Sequence, residues 1–397
     1  MPPRANPLRD RAAIAGIGQT AFGRGLGRSE LDMAAEAILA ACADAGLDPR
    51  SIDGLVRYDM EQIDEEQILA LLGNVDLRFF AGTSFGGGGS ASVIVVAATA
   101  IAAGMAETVL VYRSRARGKA SGYGQNPHQG GRYWEKLPSR LPGPNKWHVP
   151  HGLVSAFQEM AMISMRHRIE YGTTDDQWAD VAIAFREHAR RNPAAVMREP
   201  MTRAAHHASR MISEPLRLFD CNIETDGACA LILTTPERAR DLRQTPALVL
   251  AGAMSAGSHH IRLASLFARP WDEESAVRVG RRLWADAGIV PGQVDVAFFY
   301  DFFTSLVVIA LEQYGFCGRG EGGAFVADGG LSWQGGRLPC NTNGGQLSEA
   351  FVHGFNNTIE AVRQIRGTSS AQVAGAEVVF VAGGNTDPTG AVLLRRP

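Results

Sequence analysis

The stretch Val294–Thr304, VDVAFFYDFFT, decides how the rest of the chain is interpreted. Its apolar run Val294–Phe299 predicts a strand, and a helical pattern begins at about Thr304. Tyr300 and Asp301 would then follow the carboxyl end of a strand, which is where open α/β sheets bind their ligands. The sequence therefore predicts a phenol and a carboxylate at a functional edge of a sheet.

The pattern that leads into this stretch occurs twice in the chain. Residues 285–301 contain ADAGIVP, then VD, then YD, and residues 43–59 contain ADAGLDP, ID and YD at the same offsets. Such a match indicates a duplicated unit of helix, turn and strand. We predict an α/β fold of two related halves, residues 1–245 and 246–397, with a loop and helix insertion in the first half at about 113–220.

The bulk composition excludes several classes of protein. A net charge of -2 over 397 residues gives no reason to expect a nucleic-acid partner. The five cysteines lack zinc or CxxC spacing, which fits reduced thiols in a cytoplasm, and no apolar run reaches the roughly 20 residues of a membrane span. The N-terminal MPPRANPLRD lacks the apolar region of a secretory signal. We expect a cytoplasmic protein that uses no membrane, metal or bound cofactor.

Two glycine-rich segments each precede a predicted buried helix. Residues 85–104, FGGGGSASVIVVAATAIAAG, have no polar face, so their helix should be buried on every side. A second such helix, Gln346–Ile365, follows Asn341–Gly345 at the corresponding place in the repeat. The amide hydrogens at the first helix's N-terminus suit an anion or oxyanion, although glycines there also simply permit close backbone packing.

Two segments within the insertion of the first half are candidates for a binding role. Arg113, Arg115, Arg117 and Lys119 form a basic run, which is either a solvated face or a clamp for the phosphates of a carrier such as coenzyme A. Residues 121–152 are rich in glycine, proline, histidine and tryptophan, a composition typical of a long lid or binding loop.

Taken together, several segments resemble the thiolase superfamily, specifically its sterol-carrier-protein-x and lipid-transfer-protein branch. The resemblance spans essentially the whole chain and implies a five-layered αβαβα fold, a homodimer and acyl-CoA substrates. Its carrying segments are AGIGQTAFGR (15–24), the glycine loop of residues 85–90, RLFDCNIETDGACALILT (217–234), YDFFT (300–304), NTNGGQLSEAFVHG (341–354) and AGGNTDPTGAVLLRR (382–396).

The catalytic groups of a thiolase are missing from this pattern. Where the related thiolases carry a nucleophilic cysteine at the start of the buried helix, this chain has Gly86. The family's His-Asp-Cys-Phe element is Tyr300–Phe303 here, and its Gly-His-Pro element is Ala350–Val352. Without the thiol, no acyl-enzyme can form by that route.

This loss resembles the steroid side-chain aldolases of the same family. The resemblance implies a retro-aldol cleavage of a β-hydroxyacyl-CoA with a bulky apolar acyl group into a ketone and a short acyl-CoA such as propionyl-CoA, in steroid side-chain degradation. It also implies a small partner with an OB fold and a zinc ribbon. The reaction needs proton transfer and enolate stabilisation rather than a nucleophile.

The candidate catalytic residues are Tyr300, His353 and Asp301, with Tyr58 a weaker alternative. The aldolases use two tyrosines, and this chain keeps the first as Tyr300 but has Phe351 at the second position. His353 lies two residues further on, and within a helix it would face away from Phe351. Asp301 is also interpretable as a cap of the helix that begins at Thr304.

Candidate substrate-binding groups are Phe351, Arg113 and Arg115, with the backbone amides of Gly86, Gly87, Gly383 and Gly384 positioned to hold the thioester oxygen. Coenzyme A would enter as part of the substrate. Two alternatives to the aldolase remain open: a non-catalytic subunit that binds lipid or acyl-CoA, favoured by Phe351, and an acyltransferase that uses Cys340 or Cys221.

Overall fold

The computed structural model describes residues 6–58, 60–73, 75–83, 86–117, 149–153, 155–257 and 270–397. Its strands are β1 (Ala13–Gln19), β2 (Gly54–Arg57), β3 (Phe79–Gly82), β4 (Thr108–Arg115), β5 (Met211–Ser213), β6 (Leu216–Arg217), β7 (Gly227–Thr234), β8 (Ala247–Ser255), β9 (Val296–Phe298), β10 (Val378–Ala382) and β11 (Thr389–Arg395). Most of the predicted lid, residues 121–148, lies outside the described residues.

The described helices divide into long layer-forming helices and short connecting ones. They are α1 (Glu30–Ala45), α2 (Glu65–Leu71), α3 (Gly89–Ala102), α4 (Ala156–Tyr171), α5 (Asp175–Arg191), α6 (Arg203–Ala208), α7 (Pro236–Arg240), α8 (Ser275–Ala287), α9 (Thr304–Gln313), α10 (Gly322–Val326), α11 (Gly345–Ser348) and α12 (Phe355–Arg366). The duplicated sequence forms the same succession twice: α1, a 3₁₀ turn at Pro49–Ser51 and β2, then α8, a 3₁₀ turn at Pro291–Gln293 and β9.

Nine strands form one sheet in the order β3-β2-β4-β7-β1-β8-β11-β10-β9. We call the first five the first sheet half and the last four the second sheet half. The two halves join where β1 and β8 pair antiparallel, with Ala13 opposite Leu248 and Ile14 opposite Ala247. In each half a duplicated strand pairs parallel with a neighbour, β2 with β4 and β9 with β10.

The side chains of the strands alternate between distinct cores, which defines the layers. On β10, Val379 and Val381 point into a central core with α3 and α12, whereas Phe380 and Ala382 point into an outer core with α8 and α9. In the first sheet half, the outer core is formed with α1 and α2. Helix, sheet half, central helices, sheet half and helix make five layers, as the family resemblance implied.

The central helix α3 is buried along nearly its whole length, because residues such as Val93 and Ile94 leave no polar face. The second central helix differs from the prediction. Instead of one helix over Gln346–Ile365, the chain forms α11 and α12 separated by residues 349–354. His353 and Gly354 adopt positive φ angles of 52° and 80° there, which ends the helical path.

Candidate active site

Tyr300 lies where the carboxyl end of β9 meets the N-terminus of α3. Only 7% of the residue is exposed. A Cβ built on Gly87 would stand 2.5 Å from Tyr300 Cζ and 2.8 Å from its hydroxyl oxygen, so the ring occupies space that the glycine leaves. On the other side, a Cβ on Gly354 would stand 3.2 Å from Tyr300 Cδ2. The phenol is thus held between the two glycine-containing segments that begin the central helices.

Burial sets the protonation state of Tyr300. Loss of hydration raises the pKa of its hydroxyl above the ordinary value near 10, while the guanidinium groups of Arg117 and Arg113 act in the opposite direction. Tyr300 is therefore a neutral phenol near pH 7. A phenolate formed during a reaction would be stabilised by both arginines.

Asp301 does not line the site; it lies beneath it and holds the start of α11 by hydrogen bonds. It is fully buried and accepts hydrogen bonds from the backbone N–H groups of Gln346 and Leu347 at 3.0 and 3.1 Å. The interpretation as a cap of α9 is wrong, because Phe303 occupies that N-cap position and Asp301 binds the first residues of α11 instead. Burial raises the pKa of Asp301 to about 7.

Two asparagines fix the strand end that presents Tyr300. The Asn341 side chain accepts from the N–H of Phe299 and donates to its carbonyl, both at 2.9 Å. The Asn357 amide donates to the same carbonyl at 2.9 Å. Sequence reasoning did not identify these groups, although the motif Asn341–Gly345 was singled out for its glycines.

Phe351 and His353 lie together, contrary to the helical expectation. Their ring centroids are 4.7 Å apart, and the Phe351 and Tyr300 centroids are 6.4 Å apart. Because residues 349–354 are not helical, the two-residue step does not turn His353 away. The Tyr58 ring also contacts His353, with centroids 5.4 Å apart. The structure thus brings Tyr300, Phe351, His353 and Tyr58 into one cluster.

The first two arginines of the basic run, Arg113 and Arg115, form neither a solvated face nor an open clamp for phosphates. Arg113 is fully buried and pairs with Glu61 at 3.1 Å. Arg115 is 6% exposed and lies 3.7 Å from Glu30. Nothing in the sequence marked Glu61 as buried, because it begins a polar, acidic-looking loop. Lys119 lies outside the described residues.

The two glycine loops pack backbone to backbone. The Gly384 N–H donates to the Gly87 carbonyl at 2.9 Å, and the Gly383 N–H donates to Gly390 at 2.9 Å. Both amide hydrogens are committed within the protein, which is a physical argument against their predicted role in holding a thioester oxygen. Gly86 and Gly87, in contrast, are half-buried, and in the described part of the chain no acceptor is found for their N–H groups.

The two alternative nucleophiles are poorly placed for acyl transfer. Cys340 is fully buried and Cys221 is 3% exposed. Burial raises the pKa of both thiols, with Asp301 adding to the effect at Cys340 and Asp220 at Cys221. Neither begins a helix that would stabilise a thiolate. Within the described ranges no group of three or more histidine, cysteine or acidic residues is arranged to hold a metal ion.

Comparison with known proteins matches this chain to one family. The family model "Thiolase C-terminal domain-like" matches residues 257–393. The chain is 42% identical over 389 residues to the 17-hydroxy-3-oxo-4-pregnene-20-carboxyl-CoA lyase of Mycobacterium tuberculosis, covering 98% of this chain and 100% of the relative. It belongs to the thiolase-like lipid-transfer-protein family.

A second family member is equally similar. The steroid side-chain-cleaving aldolase of Thermomonospora curvata is 42% identical over 392 residues, with 98% of each chain covered. Among solved structures, an Ltp2–ChsH2(DUF35) aldolase superposes with a TM-score of 0.88 at 40% identity, covering 98% of both chains. Human mitochondrial 3-ketoacyl-CoA thiolase in complex with CoA superposes with a TM-score of 0.68 at 14% identity over 99% of this chain and 100% of that one, which shows the shared thiolase fold.

In the described part of the chain, no helix is both long and apolar enough to cross a bilayer.

Proposed function

We propose that this chain is a retro-aldolase that cleaves a β-hydroxyacyl-CoA with a steroid-like acyl group into a ketone and a short acyl-CoA. The observation that carries the proposal is the placement of Tyr300 against Gly87, at the helix N-terminus where Gly86 stands in place of a nucleophile. The two relatives that are 42% identical are named for steroid cleavage and support the same reaction class.

A single phenol can move the proton that this reaction transfers. As the carbon–carbon bond breaks, the β-hydroxyl proton passes to the oxygen of Tyr300, and the phenol's own proton passes to the α-carbon of the enolate that forms. The hydroxyl oxygen becomes the ketone oxygen, so no net proton is gained or lost. Arg117 and Arg113 stabilise the transient phenolate.

The negative charge that develops on the thioester oxygen needs hydrogen-bond donors. The N-terminus of α3 carries backbone N–H groups and the positive end of the helix dipole. Gly86 and Gly87 are the half-buried part of that terminus, so we assign them to the thioester oxygen. Phe351 would contribute an apolar wall for the acyl group beside Tyr300.

The assay uses 17-hydroxy-3-oxo-4-pregnene-20-carboxyl-CoA, the compound for which the M. tuberculosis relative is named. Cleavage should release the 17-ketone and propionyl-CoA, measured by mass spectrometry. Tyr300→Phe keeps the ring and removes the proton, so turnover should fall by roughly 10²–10⁴-fold. Tyr314→Phe, a buried tyrosine of the outer core, is the matched control and should retain activity. Unchanged turnover in Tyr300→Phe would remove the assignment.

The proposal also includes a small partner protein and a second copy of this chain. The solved relative is named as Ltp2 with ChsH2(DUF35), which supports a small partner, for which we propose an OB fold and zinc ribbon. We also propose a homodimer. Light scattering on the purified chain, with and without the partner, tests both, and the assay above is run in each state.

The competing candidate is a non-catalytic subunit that binds acyl-CoA or lipid. Phe351 favours it, because a phenylalanine supplies no proton at the position where the aldolases carry their second tyrosine. Tight binding of the CoA ester with no product, even with the partner present, would select this candidate.

A further inference from the structure

His353 occupies an unusual place in the backbone. It lies in the break between α11 and α12 with φ of 52°, a left-handed conformation that non-glycine residues adopt infrequently. A Cβ built on its neighbour Gly354 would stand 3.2 Å from Cδ2 of the Tyr300 ring. This backbone conformation sets the imidazole against Phe351, whose ring in turn contacts the candidate catalytic phenol of Tyr300.

The hydrogen bond on one ring nitrogen determines which nitrogen carries the proton. Arg113 Nε lies 3.2 Å from His353 Nδ1. A guanidinium only donates and keeps its protons at any relevant pH, so Nδ1 must accept. The neutral imidazole then carries its hydrogen on Nε2.

The surroundings also keep the imidazole neutral. Burial, followed by the positive charges of Arg113, Arg115 and Arg117, lowers the pKa of His353 well below 6.5. Tyr58 and Phe351, whose rings flank the imidazole, contribute no negative charge that would offset this effect. Protonation would also break the bond from Arg113.

Glu61 holds Arg113 in this orientation. Its Oε2 accepts from Arg113 Nη1 at 3.1 Å and from the Ser114 backbone N–H at 2.9 Å. Arg113 Nη1 also donates to the Ser114 carbonyl at 2.8 Å. Both side chains are buried, so the guanidinium has little freedom to release His353.

We infer that His353 presents a fixed Nε2–H group to a substrate oxygen beside Tyr300, and that Arg113 and Glu61 are positioning residues that set this tautomer. The inference rests on the proposed function and changes the expected role of His353. With Nδ1 occupied and Nε2 protonated, His353 is a hydrogen-bond donor, not a base. In the described residues no protein acceptor is found for this N–H, so it is available to the substrate. The His353 N–H thus supplies a hydrogen-bond donor next to Phe351, whose side chain has none.

The first test reads the tautomer without requiring turnover. Long-range ¹⁵N NMR of histidine-labelled protein, with His353 assigned by its loss in His353→Gln, should show a neutral ring with the proton on Nε2 from about pH 6.5, the ordinary pKa of an imidazole, to about pH 8. Adding 17-hydroxy-3-oxo-4-pregnene-20-carboxyl-CoA should shift the Nε2–H signal. A proton on Nδ1, a charged ring in this range, or no shift on saturating binding overturns the inference, whatever the chain cleaves.

The second test uses activity. His353→Gln can place an amide N–H near the Nε2 position and should lose less than about tenfold in kcat, whereas His353→Phe should lose roughly 10²–10³-fold. His207→Gln, a surface histidine paired with Asp176, is the control. Equal activity of His353→Phe and wild type rejects the donor role while leaving the aldolase proposal standing.

The third test separates positioning from folding. The double variant Arg113→Met with Glu61→Gln removes both buried charges together, so no unpaired ion is left in the core. Freed from Arg113, His353 should titrate closer to its ordinary range, adding an acid limb to the pH profile of kcat/KM and a mixed tautomer in the NMR spectrum. A folded double variant with an unchanged profile and tautomer shows that Arg113 does not position His353.

Discussion

Burial keeps both ionisable rings of the site, Tyr300 and His353, in their neutral forms. Tyr300 keeps its proton because hydration is lost, and His353 stays unprotonated for the same reason. Both neutral rings contact Phe351, which itself has no polar group. A site of this kind favours a reaction in which negative charge develops on the substrate and is stabilised by hydrogen bonds.

Phe351→Tyr tests whether the missing second phenol limits the reaction. The new hydroxyl would be carried by a ring that already contacts both Tyr300 and His353. We expect kcat on the steroid CoA ester to rise about tenfold or more, because a positioned acid–base group contributes roughly 10²–10⁴-fold. Phe302→Tyr, whose ring also contacts Tyr300, is the control. A decrease with Phe351→Tyr would instead identify Phe351 as an apolar wall that the substrate requires.

Asp301 gives the molecule a pH dependence of known sign. Burial raises its pKa from 3.8 to about 7, so between those values the folded protein holds a proton that the unfolded chain has released. This carboxyl group therefore contributes stability that is present at low pH and lost as the pH rises toward 7. The slope approaches about 1.4 kcal/mol per pH unit at most.

Asp301→Asn removes that titration. The variant should be destabilised relative to wild type at about pH 5 through its altered contacts with Gln346 and Leu347, and the difference should shrink as the pH approaches 8. Urea unfolding at several pH values measures it. Asp295→Asn, where the carboxylate likewise accepts two backbone N–H groups but is only half-buried, controls for the lost hydrogen bonds. A difference that stays constant with pH would show that Asp301 is ionised throughout.

At the scale of elements, local sequence predicted the helices and strands far better than it predicted the break between α11 and α12. The strand before Tyr300 and the helix at Thr304 follow from residue periodicity, and both were found within a few residues. The break depends on contacts distant in sequence, such as the bond from the Phe351 N–H to Thr225 Oγ1 at 2.9 Å. Gly354 was the one local signal, since glycine is unfavourable within a helix.

Substitution of the two glycines that precede α3, Gly87 and Gly88, should affect activity and stability differently. A Cβ on Gly87 meets the far end of the Tyr300 side chain, which can move, whereas a Cβ on Gly88 would stand 1.7 Å from the Pro388 carbonyl oxygen, which is backbone. Gly87→Ala should therefore fold normally and lose activity because Tyr300 is displaced. Gly88→Ala should lower the melting temperature by several degrees, since overpacking typically costs about 1–3 kcal/mol.

The matched control for both is Gly292→Ala, where the added Cβ meets nothing within 4 Å. Thermal unfolding and the cleavage assay on all three variants give the comparison. If Gly87→Ala keeps full turnover, the close contact between Gly87 and Tyr300 has no part in the reaction.

At the scale of the whole molecule, the two halves of the sequence repeat share one central core. The central helices α3 and α12 pack against strands of both sheet halves, and one cluster contains Val111 of the first half and Val392 of the second. The repeat is visible in sequence because it is local, and it predicted one α/β fold for both halves. The pairing of β1 with β8 was not predicted, because it links residues more than 200 positions apart. The site lies in this shared layer, so its geometry depends on both halves being folded together.

Ile94→Ala tests that dependence. Ile94 is a fully buried residue of α3 in the central core, and its truncation should cost about 2–5 kcal/mol. The five cysteines are free, and Cys42, Cys229 and Cys340 lie in the first outer core, the central core and the second outer core. Thiol labelling against denaturant, resolved by mass spectrometry, should give one common midpoint that shifts equally for all three. Ile169→Ala, at a position 76% exposed, should shift none of them. Labelling of Cys42 at a lower denaturant concentration than Cys340 would mean that the two sheet halves unfold separately and that the central helices do not couple them.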